Sequence, residues 1–283
     1  MATLNVVNSN GKTKRACGAT VIGKRWVLTA QHCIESIAAR HEHFTIVFGT
    51  NYDTQLSQAE IIRRTKSVVK YSSDFTVEHA HSYAETVSDQ DIALIELDQP
   101  LIFSSDIQPI CLRHADDGVR DGTTLMKVIG YGLLTPSNGN QKRVNRRFPD
   151  RLQELDITIE DAEECARILF VTYKYLTKKY FPTIFGMRRL QEEVFPRLQG
   201  ISQRETICAK QRGGVKGLCK GDSGGPLMKQ AADGRWYLYG VAVTIIGGCG
   251  SPAGSSFFVD ITRQCGFVKE ATRGEVDCVE ASD

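Results

Sequence analysis

The chain lacks a long apolar run: no stretch approaches the roughly 18 to 20 residues of a membrane-spanning helix. It lacks a charge excess too. With 35 basic residues against 33 acidic, the net charge is +2, too balanced to point to nucleic acid or a membrane surface as a partner. Met1-Ala2-Thr3-Leu4-Asn5-Val6 has no basic region followed by an apolar one, so no signal peptide is visible. His41 and His43, or His79 and His81, are spaced to share one side of a strand, yet no third ligand motif accompanies them. They read as surface residues, and with no calcium loop either, neither a metal nor a cofactor is expected.

Cysteine, by contrast, is plentiful: nine residues in 283, in a chain long enough to bury one large core or two smaller ones. Chemistry concentrates in Gly221-Asp222-Ser223-Gly224-Gly225-Pro226. A serine hydroxyl is a weak nucleophile at neutral pH and needs an adjacent base, plus donors for the oxyanion it creates. Glycines around Ser223 allow positive-φ backbone and close approach of a substrate, so that the N–H groups of Gly221 and Ser223 can converge on one oxygen. By itself the segment also suits an Asp/Gly turn. Upstream, Thr29-Ala30-Gln31-His32-Cys33 closes an apolar run and Asp91-Ile92-Ala93-Leu94-Ile95-Glu96-Leu97 opens one. Histidine, aspartate and serine then follow in the order of one known triad template.

On these three motifs, and from about Cys17 to about Lys269, the chain resembles the trypsin/chymotrypsin family of serine proteases. The resemblance implies an all-β fold of two six-stranded antiparallel Greek-key barrels, with a helical insertion in the second half and a C-terminal helix. It divides the chain into an N-terminal barrel at 1–100 and a crossing segment at 101–122. A C-terminal barrel at 123–262, with its insertion at about 166–205, and a helix and tail at 263–283 complete it. It assigns Ser223 as nucleophile, His32 as base and then acid, Asp91 as the group orienting the imidazole, and Gly221 with Ser223 as oxyanion donors. Asp222 becomes the acceptor for a new amino terminus once a zymogen is cut. Disulfides Cys17–Cys33, Cys165–Cys208 and Cys219–Cys249 are implied, with Met126 and Met228 replacing a further family pair. Cys111 is then expected to pair outside this chain, and Cys265 with Cys278. Met1-Ala2-Thr3-Leu4 resembles a strand inside the mature family enzymes, so a signal, a propeptide and the activated terminus are expected upstream of Met1.

Residue patterning suggests strands at Leu4–Val7, Ala19–Ile22, Trp26–Thr29, Phe44–Phe48, Ser67–Lys70 and Ile92–Leu97, and a hairpin of Pro226–Met228 against Arg235–Val243 turning at Asp233-Gly234. Between Cys165 and Cys208 the chain is longer than the family loop. There Thr158 to Asp161 reads as a cap for a helix carrying Ile168, Leu169, Val171, Tyr175 and Leu176 on one face, ended or kinked by Pro182. A second amphipathic piece is expected around Met187, Leu190 and Val194. Its lysines and arginines form either a site for an acidic partner or a solvated face. Lys142 to Arg147 reads as a loop open to proteolytic nicking.

Where the family's pocket-base residue falls, this chain has Gly217, which argues against cleavage after lysine or arginine. Val243-Thr244-Ile245 stands for the family's Ser-Trp-Gly wall, with Ser256 or Gly254 opposite. Ile245 would narrow the pocket toward small apolar side chains, and Val243 removes a donor to Asp91. The expected function is a secreted, monomeric serine endopeptidase acting on peptides or proteins and open to a protein inhibitor. The rival is a catalytically weak homologue that binds a partner.

Overall fold

The computed structural model describes residues 1–7, 13–38, 43–51, 61–71, 91–115, 117–134, 148–180, 206–212, 216–251 and 254–280. In the first half, six strands close a ring: β1 (Ala2–Val7), β2 (Thr13–Val21), β3 (Trp26–Thr29), β4 (His43–Phe48), β5 (Ile61–Lys70) and β6 (Ala93–Leu97). Their spatial order is β1-β2-β3-β6-β5-β4, with β1 pairing back onto β4 and every pairing antiparallel. β3 and β6 are buried along their whole length. Glu96 in β6 is tolerated there because Lys66 Nζ lies 2.6 Å from one carboxylate oxygen and Ser67 Oγ donates to the other at 2.9 Å. β2 and β5 begin well before their expected starts. Both extensions are polar, and β5 alternates an inward series with exposed Ile62, Arg64 and Lys66, so hydrophobicity alone did not reveal them.

The second half closes a ring from β8 (Leu125–Gly130), β9 (Gln153–Ile159), β10 (Thr206–Lys210), β11 (Pro226–Gln230), β12 (Trp236–Ile246) and β13 (Ser255–Asp260). The β11–β12 hairpin turns at Asp233-Gly234 with Gly234 at φ 79°, a conformation glycine adopts freely. Between the barrels the crossing chain contributes β7 (Cys111–Leu112), which lies parallel to β12 with Cys111 opposite Tyr237. A buried cluster around Trp26, Leu28, Ile46 and Phe48 reaches from the first barrel to Val241 and Phe257, and a second around Ile157, Leu227, Tyr239 and Phe258 fills the other.

Helix α1 (Gln31–Ala38) follows β3. Helix α2 (Ala162–Tyr180) is the insertion, tied to β10 by Cys165–Cys208. Its cap is not Thr158, which belongs to β9, but Asp161, whose Oδ1 accepts from Glu164 N at 2.7 Å. Pro182, the second amphipathic piece and Lys142 to Arg147 lie outside the described residues. Helix α3 (Cys265–Ala271) ends the chain's regular structure, closed by Cys265–Cys278. Among the described residues no helix is long and apolar enough to cross a membrane.

Arg120 ties the start of the second barrel to its last strand, pairing with Asp260 while both side chains are almost fully buried. Without Arg120, Asp260 keeps Arg263 at 3.5 Å and two Thr262 donors, so the loss falls short of a fully stranded buried charge, at about 2 kcal/mol. Arg120→Ala is expected to lower unfolding free energy by that amount in urea titrations. Lys127→Ala, whose partners Glu154 and Asp156 are well exposed, should lose less than about 1 kcal/mol.

Candidate active site

Antiparallel pairing of β3 with β6 places Thr29 opposite Ala93. The chain just past β3 and the chain just before β6 therefore meet, which brings His32 to Asp91. His32 N–H donates to Asp91 Oδ1 at 2.8 Å, and the ring Nδ1 lies 2.7 Å from Oδ2. Asp91 is fully buried, whereas the His32 ring keeps about 23% of its surface exposed. Burial works against the imidazolium, but the charge and hydrogen bond of Asp91 together outweigh it, so the His32 pKa is raised above 6.5. The Nδ1 bond holds the ring in one orientation and leaves Nε2 to face away from the carboxylate.

Ser223 sits in the loop before β11, on the other barrel. Gly18 N–H, within β2, donates to Ser223 O at 2.7 Å, and Thr29 Oγ1 donates to the Gly18 carbonyl at 2.9 Å. Gly224 N–H donates to Ala242 O at 2.7 Å, and Ala242 N–H returns to Gly225 O at 2.9 Å. Gly224 has φ 79°, and a methyl group there would overlap both the Gly18 carbonyl and Thr29 Oγ1. Only glycine permits this approach. Cys17, beside Gly18, is bonded to Cys33, beside His32. A disulfide and one hydrogen bond thus join the histidine segment to the serine segment across the seam. Cys17, His32 and Cys33 also place three potential ligand atoms close together. Both sulfurs are spent in the disulfide, so the cluster is not a metal site.

Gly221 lies at φ 104°, and neither its N–H nor that of Ser223 finds an acceptor among the described residues. Asp222 turns the other way: its carboxylate accepts from Gly132 N–H at 2.7 Å and Cys219 N–H at 2.8 Å. A Cβ at Gly130 or Gly132 would collide with it, so these two glycines form its cradle. Burial raises the Asp222 pKa above 3.8 despite the two amide bonds. A cavity of about 80 Å³ adjoins it, lined among others by Leu133, Gln153, Leu155 and Gly217.

A second cavity of about 280 Å³ opens beside Ser223. Val243, Thr244 and Ile245 line it, together with Leu218, Lys220 and the Cys219–Cys249 disulfide. Gly217 instead lines the cavity on the Asp222 side, and Ser256 pairs with Ile245 across β12 and β13 without lining either. Leu218, Lys220 and Gly248 were not singled out from the sequence, nor was Gly18. Their proximity in the chain to Cys219, Cys249 and Cys17 was the available signal.

Two barrels, one carrying an Asp-held histidine and the other a serine loop bonded to the first through Gly18, define the scaffold. The family profile described as Trypsin matches residues 1–267, and the chain belongs to the trypsin family of serine proteases. Transmembrane protease serine 11G from Rattus norvegicus and from Mus musculus are each 26% identical over 256 residues, which is 90% of this chain and 49% of theirs. Serine protease 7 of Drosophila melanogaster is 28% identical over 279 residues, 96% of this chain and 61% of its own length. The chain thus spans about half to three-fifths of these relatives. Among solved structures, mouse neuropsin, a serine protease expressed in the limbic system of the brain, shares the fold with a TM-score of 0.65 at 20% identity, covering 96% of this chain and 93% of that one.

A raised carboxyl pKa favours the protonated form in the folded state, so the stability it contributes is present at low pH and lost as pH rises. Relative to an Asp222→Asn variant, unfolding free energy is expected to fall as pH increases from about 4 through the Asp222 pKa. Denaturant titrations of both proteins across that window should show this relative shift, while carboxyls held low, such as Glu96 and Asp277, and the raised His32 keep their own pH dependence in both.

Proposed function

We propose that the chain is a serine endopeptidase. The observation that carries this reading is the buried Asp91 carboxylate holding His32 on both its backbone and ring nitrogens, on the strand system to which the Ser223 loop is bonded. His32 Nε2 takes the Ser223 hydroxyl proton as Oγ attacks the peptide carbonyl, and the new oxyanion is held by the free N–H groups of Gly221 and Ser223. Asp91 stabilises the imidazolium formed. That imidazolium then protonates the leaving amine as the C–N bond breaks, leaving an ester on Ser223. Water, activated by the same histidine, cleaves the ester and restores the enzyme. Ser223 Oγ has no hydrogen-bond partner among the described residues, a separation that binding of a substrate can close.

Asp222 is a buried carboxylate bonded only to amide N–H groups, beside a cavity able to receive an amino group. We assign it as the acceptor of a new amino terminus after zymogen cleavage, which would order Gly221 and Ser223. The four disulfides support maturation in an oxidising compartment, with the catalytic unit secreted or displayed outside the cell. A peptide or protein substrate, a possible protein inhibitor and a monomeric state belong to the same reading. A fluorophosphonate probe should label Ser223 in protein whose cleaved amino terminus engages Asp222. Ser223→Ala and His32→Ala should reduce turnover by about 10⁶-fold. A specific observation favours the second reading, a weak or silent homologue that binds partners: Asp91 accepts bonds from His32 alone among the described residues, with Val243 offering none. Absence of labelling with the fold intact would select it.

For specificity, the walls Leu218, Ala242, Val243 and Ile245 are apolar, and Asp222, the one carboxylate touching the pocket among the described residues, has both oxygens engaged by Gly132 and Cys219 N–H. We infer a preference for a small apolar residue before the scissile bond. A peptide library should return Ala, Val or similar residues there, and enrichment of Lys or Arg would overturn the inference.

A further inference from the structure

The outer surface of the first barrel carries charges that are treated differently at its two ends. Along β5, Lys66 lies 2.6 Å from Glu96, and Lys70 lies 2.5 Å from Glu35. At the other end, Lys24, Arg25, Arg63 and Arg64 have no carboxylate partner among the described residues. They surround the turn that follows β6. Leu101 N–H donates to Lys24 O, Arg25 Nη1 reaches Asp98 O at 3.5 Å, Arg63 Nη2 reaches Pro100 O at 3.5 Å, and Asp98 N–H donates to Arg64 O at 3.0 Å. The Asp98 carboxylate accepts from Arg64 N–H at 3.2 Å and forms no ion pair among the described residues. Beside these cations stand two large apolar side chains in the open: Ile102 at 79% exposure and Ile62 at 46%. A surface that merely kept the chain soluble would pair its cations or surround them with polar residues, as β5 does farther along.

We propose that this turn is a docking site for an extended acidic peptide segment carrying an aliphatic or aromatic residue, supplied by a protein partner or macromolecular substrate. Charge complementarity selects the acidic segment, and the two exposed isoleucines favour a peptide over a purely sulfated chain. The site is distinct from the cleft. The chain runs from Asp91 through β6 (Ala93–Leu97) to the turn, so at about 3.3 Å per residue Asp98 lies roughly 20 Å from the His32–Asp91 pair. A segment held there would be remote from the bond being cut and would tether a partner rather than fill the pocket.

The test is a direct binding measurement that needs no turnover, so it stands apart from the serine chemistry. A fluorescein-labelled synthetic peptide rich in glutamate and carrying leucine is titrated with the full chain by fluorescence anisotropy. A glutamate-only peptide and a heparin oligosaccharide serve as competing arms. The leucine-bearing peptide should bind most tightly, and its affinity should fall with added salt. Lys24→Gln with Arg64→Gln should weaken it by about tenfold or more, and Ile102→Ser by about threefold. The side chains of Lys24 and Arg64 form no hydrogen bond or ion pair among the described residues, so their glutamine variants should unfold at an unchanged midpoint. Unchanged affinity in the double variant would overturn the proposal. So would heparin binding as tightly as the peptide with no effect of Ile102→Ser, an outcome that assigns the surface to a polysaccharide.

Discussion

The Gly18 N–H bond to the Ser223 carbonyl is the contact on which the site depends. Either barrel by itself carries half of the chemistry. β3 and β6 can bring His32 to Asp91 within the first barrel, but among the described residues neither strand hydrogen-bonds the serine loop, which β3 meets only through the Thr29 side chain. Gly18 does, and it is covalently coupled to the histidine side through its neighbour Cys17. The approach is close enough that the Gly18 carbonyl and Thr29 hydroxyl fill the space a side chain at Gly224 would occupy. Backbone contact of this kind is stiff, because it involves no rotamers that can relax. The relative placement of Ser223 and His32, the proposed nucleophile and base, therefore follows from main-chain geometry, which suits a reaction sensitive to misplacement on the ångström scale.

Two buried carboxylates near the seam have opposite fates. Asp91 faces an imidazole that can become its countercharge, so its burial is compensated and its field lifts the affinity of His32 for a proton. Asp222 faces only amide dipoles, so its own burial dominates and its ionised form is disfavoured. Glycines at 130 and 132 make room for a carboxylate that the surrounding chain does not neutralise. Such an arrangement fits a group whose partner arrives late.

Much of this was readable from residues. The three motifs around His32, Asp91 and Ser223 carry chemistry that leaves dense local signatures, and the short buried strands β3 and β6 were marked by mostly apolar text, broken only by Thr29 and Glu96. Other parts were not legible for physical reasons. β5 runs six residues longer than its apolar core because exposed strand positions alternate into charge. Within the expected cap of Thr158 to Asp161, only Asp161 does the capping, since Thr158 is already committed to pairing with Leu125 in the sheet. The pocket is a tertiary object: Gly217, in a loop, falls on the Asp222 side, and Ser256 lies beside Ile245 on the neighbouring strand, in a register that the β12 irregularity between Ala242 and Thr244 shifts.

The short parallel strand β7 has a mechanical implication. Ile110 N–H is bonded to Val21 O of the first barrel, while the next two residues are already paired with β12 of the second, and Val279 clasps Leu112 from outside. No slack separates one attachment from the next. A connection of that kind behaves as a weld rather than a hinge, so the groove between the barrels has a set width, and ligands must conform to it instead of being gripped by closing halves.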